Sequence, residues 1–499
     1  MQIHKLKFLI PGLLISILGL IPRSIEVIGG NFLFGFDQGA YFLDVKRIVI
    51  EHKLTLIGLF AGGGGGLFQG PGWYYLLSIP FVLTEGNPMA AMVLMLILGL
   101  LTIVFSIYFS SRMYGLKTAL VIGFLIAISP ALIPQSRFIW APFPISLITV
   151  FYLFFLFNSF KNKGKSLPLA TLMIGLMSSF ELASSGTLFF QYLVFSLILL
   201  YKKIISVKSF LLSLVTFSIP LLPLIFFNFK HNNILVRGLL NVTPSGGQST
   251  HQVTRLYIER MLVNHFDNFR YGFLSSFYSE NFIWLLIIFI TILGTVIYIK
   301  DKKVKLPNKW FLIYLISSPL TLYLIFAFYL WPIWQWWILE LIIFYNFAFG
   351  IILVYLWKRN WLRPLICIVL LYFVLSFVKD TIKFYKGDFH DYGGTAKIKG
   401  KEDAIGYIYK DAGGKKFNLL VFSPPVYTFP YDYLLWWYGQ KKYGFIPGNE
   451  KKGTFYLLIE PDPSKPWSYK GWLETVIKTG NIIKTVELPS GFIVQKRQE

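Results

Sequence analysis

The chain has 499 residues, 55% of them hydrophobic, 18% aromatic and only 14% charged. Soluble domains carry about 25% charged residues, and the apolar residues here come in long runs, which excludes an ordinary soluble globule and indicates a polytopic membrane protein. The net charge of +23 does not imply nucleic acid, because Lys and Arg concentrate in short connectors: Arg112 and Lys117, Lys161 to Lys165, Lys202 to Lys208, Lys300 to Lys305 and Lys358 to Arg363. Short basic loops mark the cytoplasmic side of a membrane.

The single cysteine, Cys367, excludes an intrachain disulfide, and the six histidines show no metal-ligand spacing. In chain order, Lys5 and Lys7 precede a first apolar run from Phe8 to about Ile28. No small-residue cleavage site follows, so a retained signal-anchor helix with a cytoplasmic N-terminus is expected. Residues 29–87 then form a first external segment. Within it, Trp73 to Leu83 is apolar but only about a dozen residues long, between Gly70-Pro71-Gly72 and Glu85-Gly86-Asn87-Pro88. A span needs about 20 residues. A juxtamembrane or re-entrant helix there keeps all the basic connectors on one side. Further spans are expected at 88–110, 117–134, 141–160, 166–182, 184–201, 209–228, 281–300, 310–330, 335–357 and 361–379, eleven with the first. The external connectors are then 135–140, the long loop 229–280, and 331–334.

The transmembrane body is thus expected over residues 1–379, and composition changes after about Asp380. Glu402 to Asp411, Tyr431 to Tyr438 and Tyr469 to Thr479 read as helical; Lys416 to Phe422, Thr454 to Glu460, Ile482 to Val486 and Phe492 to Gln495 read as strands. Residues 380–499 are therefore expected to form a small extracytoplasmic α/β domain, with no nucleotide fingerprint.

Several polar groups stand out against this apolar background. Asp37 and Asp44 lie two helical turns apart and share a face if their segment is helical; Asp37 reads as a general base at the membrane surface or as a helix N-cap. Lys46 and Arg47 suit a phosphate or anionic lipid. The five glycines Gly62 to Gly66 form a flexible loop or allow close backbone approach. Arg137 is an isolated external charge, able to snorkel or to bind a lipid phosphate. In the long loop, Arg255, Glu259 and Arg260 read as one helical face, beside His231, Arg237, His251, His265 and Asp267. Glu181 and Glu340 are costly in lipid and so are functional candidates.

Three stretches resemble membrane glycosyltransferases of the GT-C fold, the relatives of protein O-mannosyltransferases, aminoarabinose transferases and RgtA/B/C/D-like enzymes. They are Asp37-Gln38-Gly39-Ala40-Tyr41, Gln69-Gly70-Pro71-Gly72-Trp73-Tyr74-Tyr75-Leu76-Leu77, and Ser129 to Trp140. The resemblance implies transfer of a sugar from a polyprenyl-phosphate donor to an extracytoplasmic acceptor at a multi-pass cell-membrane site. Asp37 would be the base, and Arg137 would hold the donor phosphate. Gln38, Tyr41, Asp44, Lys46, Arg47, Gln69 and Tyr74 would line the substrate site. No cofactor is implied. Gln38 stands where a second acid is common and Gln69 where His is frequent. The rival readings are an oligosaccharide ligase or polymerase working through the late external loop, a transporter or flippase of lipid-linked substrates, and a non-catalytic membrane scaffold.

Overall fold

The computed structural model of the chain describes residues 2–61, 67–241, 255–329, 331–388, 394–424, 427–462, 464–465 and 467–499. Gly62 to Gly66 and His251 lie outside the described residues. All eleven expected apolar segments fall on helices. Five are long and apolar enough to cross a membrane alone: Pro88–Tyr114, Leu182–Tyr201, Ile283–Lys300, Leu306–Phe326 and Asn360–Asp388. A sixth is a pair, Val207–Ser218 and Leu222–Lys230, bent by 60°. Pro220 and Pro223 sit at that break, and each lacks the N–H that would continue the helix.

The first expected span lies on the 22-residue helix Gln2–Arg23. The remaining expected spans are shorter helices, namely Leu116–Ile128, Ile145–Lys161, Leu167–Met177 and Glu340–Leu356. Three of these have a local boundary that keeps them short. Ser129-Pro130 ends Leu116–Ile128 before a short turn, Leu132–Gln135. Leu167–Met177 stops at Ser178, and Glu181 caps the next helix by accepting the Ala183 N–H at 3.2 Å. A 3-10 turn, Gln335–Ile338, leads into Glu340–Leu356.

The connectors gather at two ends of this bundle. At one end, the Gln38 side-chain amide donates to the Ile139 carbonyl at 2.8 Å, Ser129 donates to the Ser276 carbonyl at 2.9 Å, and His265 Nε2 meets the Trp331 carbonyl at 2.9 Å. These bonds join the first external segment, the 129–140 connector, the long loop and the 331–334 connector. The long loop itself is largely helical, at Ile234–Asn241 and Arg255–Ser275. At the other end, residues of four basic connectors line one cavity. The fifth joins them where the Ser206 N–H donates to the Lys163 carbonyl at 3.2 Å.

The last long helix continues past 379 to Asp388, because its final turns make contacts of their own. Tyr385 donates to the Ile21 carbonyl at 3.0 Å, and Asp388 pairs with Arg137 at 2.5 Å. Beyond it stands a four-stranded sheet of β1 (Asn418–Phe422), β2 (Thr454–Ile459), β3 (Asn481–Glu487) and β4 (Ile493–Gln498), in the order β1-β2-β4-β3. β1 and β2 are parallel, and the other pairings are antiparallel. Phe455, Leu457 and Ile459 alternate along one face of β2 and are fully buried with Ile477. The helix Ile398–Asp411 packs Ala404, Ile405 and Ile408 inward. Inside the domain, buried Lys401 donates to Glu460 at 3.1 Å, and Tyr431 bonds the same carboxylate.

This domain sits directly on the first external segment. Phe34 N–H donates to the Ala396 carbonyl at 3.1 Å, and Ile398 N–H donates to the Phe32 carbonyl at 2.9 Å. Tyr433 bonds the Gly86 carbonyl, and the Phe36 ring meets Tyr427 at 5.4 Å and Phe429 at 5.1 Å. The closest approach is at Gly39, in the helix Phe36–Ile50, where a Cβ would lie 2.3 Å from the Pro430 backbone nitrogen. Only glycine allows that contact. Gly39→Ala is expected to lower stability by about 1–3 kcal/mol and to speed amide exchange over Phe429–Leu434. Gly186→Ala, where a Cβ meets nothing within 4 Å, is expected to leave both unchanged. Thermal melting and hydrogen-exchange mass spectrometry in detergent check this.

Candidate active site

The helix Phe36–Ile50 carries the candidate site. Its first turn is closed by Gln38, whose Oε1 accepts the Gly35 N–H at 2.9 Å while Nε2 donates to Ile139. Both ends of this buried amide are therefore used within the protein. Gln38 anchors the helix, and the acceptor-binding role expected of it would have to share an amide that already serves the fold.

Asp37, one residue earlier, is exposed, and among the described residues it has no hydrogen-bond or ion-pair partner. Its side chain reaches solvent, yet the protein around it still desolvates the carboxyl and raises its pKa. One turn on, Tyr41 is buried with its ring edge-on to Trp73 at 5.8 Å. Burial, and then the Asp37 charge, push the Tyr41 phenol well above its ordinary range; Tyr74 and Glu181 act on it in the same direction. Asp44 is two turns from Asp37 and half-buried, and it accepts from Arg47 at 3.0 Å. Burial raises the Tyr74 phenol, and the Asp44 carboxylate raises it further. Asp37, Tyr41, Asp44, Arg47 and Tyr74 thus form one neighbourhood, with Asp37 its unpaired acid.

Gln69 joins that neighbourhood from below. It is buried, and its Nε2 donates to Glu181 Oε2 at 3.4 Å. The strand-like backbone around it is fixed by Gly58 N–H to the Gln69 carbonyl at 2.7 Å and Gln69 N–H to the Leu59 carbonyl at 2.8 Å. Gly70 then lets the chain press on the helix break, since a Cβ there would lie 2.7 Å from Ser179 Oγ. Glu181 is 4% exposed and Glu340 is fully buried; the two carboxyls interact electrostatically. The apolar runs around both acids flagged them in the sequence. Their association with Gln69 was not legible there, because it depends on how a loop and two distant helices meet.

Two expected site residues lie elsewhere. Lys46 rests over the Trp436 ring at 5.0 Å, on the docking surface of the C-terminal domain. Arg137 is the larger departure. Its Nε and Nη2 grip the Glu26 carboxylate at 2.6–2.9 Å, Nη2 also meets Asp388 at 2.5 Å, and the guanidinium lies 4.5 Å from the Phe384 ring. Its side chain is only 8% exposed. The fork expected to hold a donor phosphate is occupied by two carboxylates, and it ties the end of the last long helix to the short helix Ile25–Gly29 that follows the first. Among the described residues, no group of three or more His, Cys, Asp or Glu is placed to hold a metal ion.

No protein-family model and no curated protein matches the sequence. Solved structures do match. ArnT from Cupriavidus metallidurans bound to undecaprenyl phosphate superposes with a TM-score of 0.56 at 11% identity, covering 97% of this chain and 97% of that one. The same protein in the apo state gives 0.55 at 11% identity over 96% of each chain. The Archaeoglobus fulgidus oligosaccharyltransferase in complex with Zn and sulfate gives 0.53 at 13% identity, covering 96% of this chain and 72% of that one. Both proteins are GT-C glycosyltransferases. The chain therefore has the GT-C membrane fold with a small C-terminal sheet domain, as its motifs imply.

The geometry of Arg137 has a direct consequence. Arg137→Ala leaves Glu26 buried without a counter-charge and is expected to cost about 3–5 kcal/mol of stability, seen as a lower melting temperature. Removing Glu26 as well is expected to recover much of the loss. A guanidinium that served the donor alone would instead leave melting unchanged and raise KM.

Proposed function

We propose that the chain is a membrane glycosyltransferase that moves a sugar from a polyprenyl-phosphate donor to a hydroxyl of an extracytoplasmic acceptor. The observation that carries this reading is Asp37: an unpaired carboxylate on the first helix of the external segment, beside the C-terminal domain of a GT-C fold. The undecaprenyl phosphate held by ArnT supports a lipid-linked donor.

In this reading the Asp37 carboxylate takes the proton of the acceptor hydroxyl as its oxygen attacks the anomeric carbon. The bond from that carbon to the phosphate oxygen breaks, and polyprenyl phosphate leaves as an anion. A single displacement inverts the anomeric configuration. Desolvation suits Asp37 to the task, because a carboxylate with a raised pKa is a stronger base. Arg47 is the cation available to the leaving phosphate. Its side chain is 62% exposed beside Asp44, on the same helix as the base, whereas Arg137 is already neutralised. Tyr41 and Tyr74 have strongly raised phenol pKa values and stay protonated, so both serve as hydrogen-bond donors. The short basic connectors support an orientation with this chemistry on the extracytoplasmic face and the N-terminus in the cytoplasm.

Proteoliposomes supplied with labelled polyprenyl-phosphate sugars and a host membrane extract test the reading. Asp37→Asn is expected to lower transfer about 10²–10⁴-fold in protein that still folds and melts normally. Wild-type activity is expected to rise with pH along an acid limb above the ordinary aspartate pKa of about 3.9, because the base works only when deprotonated. The residual activity of Asp37→Asn is expected to lack that limb. Undiminished transfer by Asp37→Asn would remove Asp37 from the mechanism.

A further inference from the structure

The proposed chemistry leaves the opposite end of the bundle unexplained. The helix Pro88–Tyr114 begins beside Gly86, where Tyr433 of the C-terminal domain docks, and its last turn reaches a cavity of about 830 Å³ at the far end. Five cations line this cavity: Lys161, Lys303, Lys305, Lys358 and Arg359. They come from three of the basic connectors that stand out in the sequence. None forms an ion pair among the described residues.

One carboxylate, Asp301, shares the lining, and its oxygens are already engaged. Oδ2 accepts from the Tyr355 hydroxyl at 2.8 Å, and Oδ1 accepts the Lys303 backbone N–H at 2.8 Å. Like charges gathered around one opening repel each other unless an anion joins them. The five cations are exposed, whereas the lining is apolar and buried at Met113 and Ile351 and apolar again at half-buried Val354. A fully soluble anion has no use for that wall. An amphiphile does, with its charged head among the lysines and its chain against the helices. The cavity also lies where the helices end at Lys161, Lys300 and Leu356, the level at which a membrane-spanning bundle meets headgroups.

We propose that this cavity is a binding site for a phosphate-bearing lipid headgroup of the cytoplasmic leaflet, separate from the site at Asp37. The shared chemistry is a phosphate, held by ammonium and guanidinium groups. The lipid source is favoured over a free phosphate by the apolar wall. This inference rests on the membrane-spanning body and not on the reaction assigned to Asp37.

Native mass spectrometry of the full chain in mixed detergent tests it, with phosphatidylglycerol and phosphatidylcholine offered together. Wild-type protein is expected to retain phosphatidylglycerol about tenfold over phosphatidylcholine. The triple variant Lys303→Gln, Lys305→Gln, Lys358→Gln is expected to lose that preference. Replacing the same three with Arg is expected to keep it, which separates charge from any effect on folding. A second triple variant on the same face but outside the cavity, Lys202→Gln, Lys203→Gln, Lys208→Gln, is expected to keep it too. Loss in both Gln variants, or in neither, overturns the site. Millimolar inorganic phosphate is expected not to displace the lipid; displacement by phosphate overturns the lipid source and assigns the cavity to a soluble phosphorylated ligand.

Discussion

A polar group in hydrocarbon costs several kcal/mol unless it finds a partner inside the protein, and that constraint arranges this molecule. Arg23, at the end of the first helix, is buried and hydrogen-bonds to the Gly19, Ala127 and Ile126 carbonyls at 2.6–3.1 Å. These bonds fasten the first helix to Leu116–Ile128. Arg137 solves the same problem one layer outward through Glu26 and Asp388. With Arg23 bonded to backbone carbonyls and Arg137 paired with two carboxylates, both cations are committed within the structure. Asp37, by contrast, has no such partner among the described residues.

The C-terminal domain acts on that segment through backbone as much as side chains. The Phe32–Phe34 stretch pairs with Ala396 and Ile398, and Gly39 admits Pro430 to within backbone contact. The helix bearing Asp37 is thereby held between the membrane body, through Gln38 and Ile139, and the sheet domain. Such double anchoring suits a general base, which must keep its position while substrates arrive. The sheet domain is more than an appendage, since its Phe429 and Tyr427 pack on Phe36, the residue before the acid.

Much of this was legible in the sequence, and the reasons are physical. Apolar runs marked the helices because lipid demands them, and alternation with turn residues marked the four strands of the C-terminal sheet, though not their order in it. Asp37 stood out as an acid just beyond an apolar helix, with a base and a helix N-cap both open; Gly35 takes the cap position, and Asp37 falls in the first turn. Helix breaks were harder. Nothing local at Ser178 to Glu181 announces that a loop carrying Gly70 presses there. Arg137 misled for a related reason: a lone external Arg resembles a phosphate ligand until Glu26 and Asp388 arrive from distant parts of the chain. Gln38 likewise sat in a catalytic-looking motif while its amide served the helix and its neighbour. Residue type indicates what a group can do, whereas its partners decide what it does.

In the proposed reaction, sugar transfer takes place beside Asp37. A polyprenyl-phosphate donor with a photoreactive group on its sugar tests this most directly, with adducts mapped by mass spectrometry in proteoliposomes. Adducts are expected on the helices Phe36–Ile50 and Gly72–Leu83, suppressed by unmodified donor. Suppressible adducts confined to the basic end of the bundle, or to the Arg255–Ser275 helix, would contradict transfer beside Asp37.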